Sequence, residues 1–89
     1  MFVLIETNQM CDTLTVTMRG AFSSSDAARR EMRKLYDETV AGDLLTVVYG
    51  MPEGLCGDYT AELTYPLPGM RKSWAVMNNA HNATTIGIA

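Results

Sequence analysis

Read for polar and apolar positions, the chain falls into short stretches of two different periods. Residues 2–6 are apolar and rich in β-branched or aromatic side chains, which predicts a strand. Residues 13–18 alternate with period two, Leu14, Val16 and Met18 on one side and Thr13, Thr15 and Thr17 on the other. That pattern predicts a strand half-buried on its Leu-Val-Met face, with the polar residues 7–12 as the hairpin loop before it. The period then changes. Ala28, Met32, Leu35, Tyr36 and Thr39 share one face at helical spacing, predicting a helix over residues 24–41. Ser23 stands where a cap is needed, Asp26 where a capping-box acid would answer it, and Phe22 and Ala27 at the positions of a hydrophobic staple. Gly42 suits the left-handed position that ends a helix.

In the second half, residues 44–49 form a nearly continuous apolar run, predicting a strand buried on both faces. Gly50, Pro52, Gly54 and Gly57 predict a loop of about eight residues. Tyr59, Ala61, Leu63 and Tyr65 then alternate against Thr60, Glu62 and Thr64, another half-buried strand that Pro66, Pro68 and Gly69 close. Residues 74–77 read as a further short strand, 78–82 as a turn, and 84–88 as an added edge strand. The order is ββαβββ, with the last stretch as an optional sixth strand. Strands on both sides of one helix predict an α+β fold: an antiparallel sheet of about five strands with the helix packed on one face.

Length and composition make residues 1–89 one globular domain, with 47% hydrophobic content and no linker or repeat. The longest unbroken apolar run, Met1 to Ile5, is far short of the roughly 20 residues a spanning helix needs. It has no basic residue ahead of it and no small-residue cleavage site behind it, so it does not read as a signal peptide. Cys11 and Cys56 allow one pairing and no disulfide framework, which favours a reducing compartment and a cytoplasmic protein.

The formal net charge of −3 argues against direct nucleic-acid binding, which depends on Lys and Arg replacing counterions. The distribution is more telling. Arg29, Arg30, Arg33 and Lys34 form a stripe on the helix, and no base occurs between Lys34 and Arg71. Asp37, Glu38, Asp43, Glu53, Asp58 and Glu62 all fall in that interval. Asp43, Glu53, Asp58 and Glu62 are therefore candidates for docking a basic protein partner, such as a nucleic-acid-binding protein. The stripe Arg29, Arg30, Arg33 and Lys34 is the alternative binding face, for an anionic partner. Either patch also reads as an ordinary solvated surface.

Catalytic motifs are sparse. Cys56, His81 and Asp58 have the residue types for a thiol nucleophile, a base and an orienting acid, but no spacing supports their convergence. Two separated cysteines and one histidine do not make a zinc site. The glycines at 50, 54 and 57 lack the basic ending and following helix of a phosphate loop. Tyr36, Tyr49, Tyr59, Tyr65 and Trp74 mostly occupy inward-reading positions without interleaved bases, so no base-stacking platform is implied. No cofactor, metal or membrane partner is expected.

The combination of a strand hairpin, the segment AFSSSDAARREMRKLYDETV, then YTAELTY and SWAVM resembles small ββαββ proteins of bacteriophages and mobile elements. The likeness covers about three quarters of the chain and carries no residue-level motif. It implies a stand-alone protein of a class that includes stoichiometric inhibitors of host defence, anti-CRISPR proteins among them. The leading functional expectation is a non-enzymatic inhibitor or regulator that occupies a partner's surface. A structural or accessory virion-type subunit oligomerising through a sheet edge is the alternative, and a thiol enzyme built on Cys56 comes third.

Overall fold

The computed structural model describes residues 1–42, 50–66 and 69–78. Strands β1 (Phe2–Met10) and β2 (Thr13–Phe22) precede helix α1 (Ser25–Gly42), and β3 (Glu53–Cys56), β4 (Thr60–Thr64) and β5 (Met70–Asn78) follow it. All strand pairs are antiparallel in one sheet of order β2-β1-β5-β4-β3, with α1 against one face. The expected α+β class and ββαβββ order hold. One member of that order differs: the third strand of the sheet is Glu53–Cys56, inside the stretch read as a loop. The strand expected at 44–49 and the edge strand expected at 84–88 lie outside the described residues.

The first hairpin is longer and tighter than the sequence suggests. Met10 pairs with Thr13, so the β1–β2 connection is only Cys11 and Asp12 rather than residues 7–12. Such a turn needs positive φ at its first central position, and Cys11 adopts it at 56°. The Cys11 N–H donates to the Gly69 carbonyl at 3.0 Å, tying this turn to the β4–β5 connection. Gly69 itself has φ 77°, and a Cβ there would press on the Cys11 backbone at 3.2 Å. Polar sequence at 7–10 did not end the strand because cross-strand partners on both sides, β2 and β5, satisfy its backbone.

The core lies between α1 and the inner face of the sheet. Leu4, Ala61, Leu63, Trp74 and Val76 project from the strands onto Ala28 and Met32, with Leu35, Tyr36 and Val40 packed around them. Tyr36 meets Trp74 edge-on, ring centroids 6.1 Å apart. Helix entry is capped one residue later than expected: Ser24 Oγ, not Ser23, accepts the Ala27 N–H at 3.2 Å. That shift leaves Asp26 within the first turn beside Arg29 instead of completing a capping box. Tyr59, expected to point inward, lies half exposed before β4 begins, under the Arg29 guanidinium.

The largest departure is the direction of β2. Phe2 to Leu4 pair with Phe22 to Gly20, but Ile5 pairs with Met18, so Arg19 is an extra, bulged residue. Without the bulge, Met18, Val16 and Leu14 would face Glu6, Asn8 and Met10 on the helix side. With it they face Ile5, Thr7 and Gln9 on the outer side. The alternation is as read, yet its apolar members are exposed, Leu14 at 63%, Val16 at 62% and Met18 at 63%. A one-residue slip turns every side chain beyond it to the opposite face.

Candidate protein-interaction surfaces

The helix side and the outer face of the sheet carry the chemistry read from the sequence, and the outer face also carries apolar residues that the sequence reading placed inside. On the helix side, the basic stripe is partly neutralised. Arg29 donates to the Asp58 carbonyl at 3.1 Å and to its carboxylate at 3.3 Å, while also reaching Asp26 at 3.5 Å. Its guanidinium sits 5.1 Å from the Tyr59 ring centroid. Arg33 pairs with Asp37 at 3.4 Å one helical turn on and lies over Tyr36. The Asp37 charge, and after it the Cys56 side chain, hold Arg33 more firmly charged than an ordinary arginine. Arg30 and Lys34 are exposed and have no ion pair among the described residues. The reach of Lys34 to Glu38 that helix spacing permits is not used. Arg29, Arg30, Arg33, Asp26, Asp58 and Cys56 border an open cleft of about 310 Å³.

The three described acidic candidates divide between the two sides of the sheet. Asp58 sits in the β3–β4 turn and is held by Arg29 toward the helix. Glu53 and Glu62 stand on the outer face of the sheet, near-diagonal neighbours across β3 and β4. Glu62 makes a loose ion pair with Arg71 at 3.8 Å. Between them runs a shallow outer depression of about 590 Å³, reaching Thr64, Ser73 and Ala75. Asp43 lies outside the described residues.

For the thiol reading, Cys56 is half-buried and its Sγ–H faces the Gly57 carbonyl at 3.8 Å. Asp58 spends its carboxylate on Arg29, and His81 is outside the described residues. Cys11 and Cys56 are both free thiols. Among the described residues no group of three His, Cys, Asp or Glu side chains is placed to hold a metal, and no helix is long and apolar enough to cross a membrane.

The surface missed by the sequence reading is the outer face of the β2–β1–β5 half of the sheet. On this face Met18 of β2 lies beside Ile5 of β1 and Ala75 of β5, Val16 beside Thr7 and Ser73, and Leu14 beside Gln9 and Arg71, while Val3 and Met77 share the rung of Ala21. Val3 is buried and Ile5 half-buried within this patch, whereas Met77 joins the β2 trio as exposed. Val3 is absent from the helix-side core, as its position on the other face requires. The patch carries one charge among the described residues, Arg71 on the rung of Leu14, and none on the rungs of Met18 and Met77. It merges at the β4–β3 end into the acidic part of the same face, where Glu53, Glu62 and the exposed Leu55 stand. A row of large apolar side chains left exposed along one strand is a candidate interaction surface.

A buried carboxylate was missed as well. Glu6 lies on the inner face, where the Trp74 indole N–H donates to it at 2.8 Å and the Asn8 amide at 3.0 Å. The bulged Arg19 approaches it at 3.8 Å. Its place in the alternation with Phe2 and Leu4 was the available signal. No protein-family model matches this chain, and neither curated proteins nor solved structures give a match.

Proposed function

We propose that this chain is a small non-enzymatic protein-binding domain, a stoichiometric inhibitor or regulator that acts by covering a partner's surface. The observation that carries the reading is the exposure of Leu14, Val16, Met18 and Met77 on the outer sheet face. Exposing those side chains gains the monomer nothing, and burying each against a partner is worth about 1.5–3 kcal/mol. The adjoining Glu53 and Glu62 suit a partner whose apolar contact is flanked by basic residues, as on many nucleic-acid-binding proteins. The likeness to phage and mobile-element proteins supports a target in host defence, in the manner of an anti-CRISPR protein.

The test is a capture experiment from the source cell, followed by binding of the purified partner. Met18→Ser with Met77→Ser removes apolar contact from the outer face without touching the helix-side core. It should weaken binding by at least tenfold, about 1.4 kcal/mol, while leaving the melting midpoint nearly unchanged. Undiminished binding by this variant would remove the outer face from the interface. Binding lost only when Arg30 and Lys34 become glutamine would move the site to the helix. A second reading, an oligomerising structural subunit, draws support from the exposed β2 edge. The thiol-enzyme reading stands or falls on Cys56→Ser, which should leave activity intact.

A further inference from the structure

Strand β2 is one edge of the sheet, and it lacks the features that usually keep an edge from pairing. It runs for ten residues, contains no proline, and carries no charge before Arg19. Nothing among the described residues pairs with its free side. The opposite edge is defended: β3 is four residues long, contains Gly54, begins at the exposed Glu53 and follows Pro52. A long edge of unpaired N–H and C=O groups is a template for another strand.

The residues of β2 also say which strand fits. Thr13-Leu14-Thr15-Val16-Thr17-Met18-Arg19 is nearly palindromic about Val16. Aligned antiparallel to itself with Val16 opposite Val16, it sets Leu14 against Met18 on the outer face and Thr15 against Thr17 on the inner one. Both pairs are of kinds that stabilise a sheet. The turn carboxylate Asp12 of each copy then comes to the same end of the ladder as Arg19 of the other. A shift of one residue would oppose an apolar side chain to a threonine or to Arg19 on each rung, and a shift of two toward the bulge would draw the two charges apart.

We propose that this chain forms a two-fold dimer by antiparallel pairing of β2 with β2 of a second copy, centred on Val16. The regular ladder covers residues 14–18 and ends where the Arg19 bulge twists the edge away. At about 3.4 Å per residue that is a contact roughly 17 Å long, which places the dimer among small, weak interfaces. Pairing joins the two outer apolar stripes side by side, doubling the uncovered face. The proposal is independent of the identity or existence of a foreign partner.

Sedimentation equilibrium from roughly micromolar to millimolar protein should show the mass rising from the 9.8 kDa monomer toward twice that value. Val16→Lys opposes two ammonium groups on the two-fold axis and should weaken association at least about tenfold. The monomer should tolerate it, because Val16 is exposed. The register is read separately by oxidative cross-linking in a Cys11→Ser, Cys56→Ser background. Val16→Cys should form an intermolecular disulfide readily, Leu14→Cys or Met18→Cys alone poorly, and a mixture of those two as a cross-linked pair. A monomer at every concentration, association indifferent to Val16→Lys, or cross-linking of Leu14→Cys as fast as Val16→Cys would each overturn the proposal.

Discussion

Glu6 ends the first apolar run in the sequence, and in the fold it is the carboxylate that meets the indole of the central strand's Trp74. Glu6→Ala leaves a buried indole N–H without its acceptor, and should cost about 1.5–3 kcal/mol in denaturant unfolding. Glu6→Gln keeps an acceptor and should cost less; equal losses would mean that charge, not satisfaction of the indole, is what matters. At the helix entry, Ser24→Ala should cost about 1 kcal/mol and Ser23→Ala much less, since the Ala27 N–H has chosen Ser24. Cys11 occupies left-handed backbone at φ 56°. Cys11→Gly should therefore raise the unfolding free energy, by up to about 1 kcal/mol after the entropy of the unfolded glycine is offset.

At the scale of elements, the helix holds the sheet through a narrower strip than its spacing implies. Met32 is fully buried while Leu35 is only half-buried. Met32→Ala should lose about 2–5 kcal/mol and Leu35→Ala clearly less, by comparing the midpoints of the two variants. Gly54 lets the β3 backbone pass close to the Tyr36 side chain of the helix. A Cβ there would collide with the Tyr36 hydroxyl and the Leu63 side chain. Gly54→Ala should cost about 1–3 kcal/mol through overpacking, even though alanine is the better strand residue. A neutral result would mean that β3 moves freely away from Tyr36. The glycines at 50, 54 and 57 read as loop because local propensity does not register an approach from a residue 18 positions earlier in the chain.

For the molecule as a whole, one helix covers one face of a five-stranded sheet, and the described residues leave the other face open. That openness is expected to show without any partner. Hydrophobic-dye fluorescence of the native protein should fall on Met18→Ser with Met77→Ser, while the melting curve stays in place. Dye binding that survives the double substitution would mean that another surface is responsible. Salt should separate the two halves of the face once a partner is in hand. Contacts at Glu53 and Glu62 weaken as the Debye length falls from about 10 Å at 0.1 M to about 3 Å at 1 M, and the Leu14–Val16–Met18 contacts do not.

The class of the fold, the helix and its buried stripe, and the inward alternation of Ala61, Leu63 and Tyr65 were legible because each is a local period imposed by one side of solvent. The basic stripe was equally legible, as spacing on a single helix. Its neutralisation was not, because Asp58 reaches Arg29 across 29 positions of chain. Tertiary structure alone decided which face of β2 is outside. Period two reveals that Leu14, Val16 and Met18 share a side, but a sheet has two equivalent sides until something covers one. The helix made that choice by packing on Leu4 and Trp74, and the bulge at Arg19 then turned the apolar half of β2 away from it. A bulge is one residue in a ladder whose partner lies in another strand, so no pattern within β2 announces it.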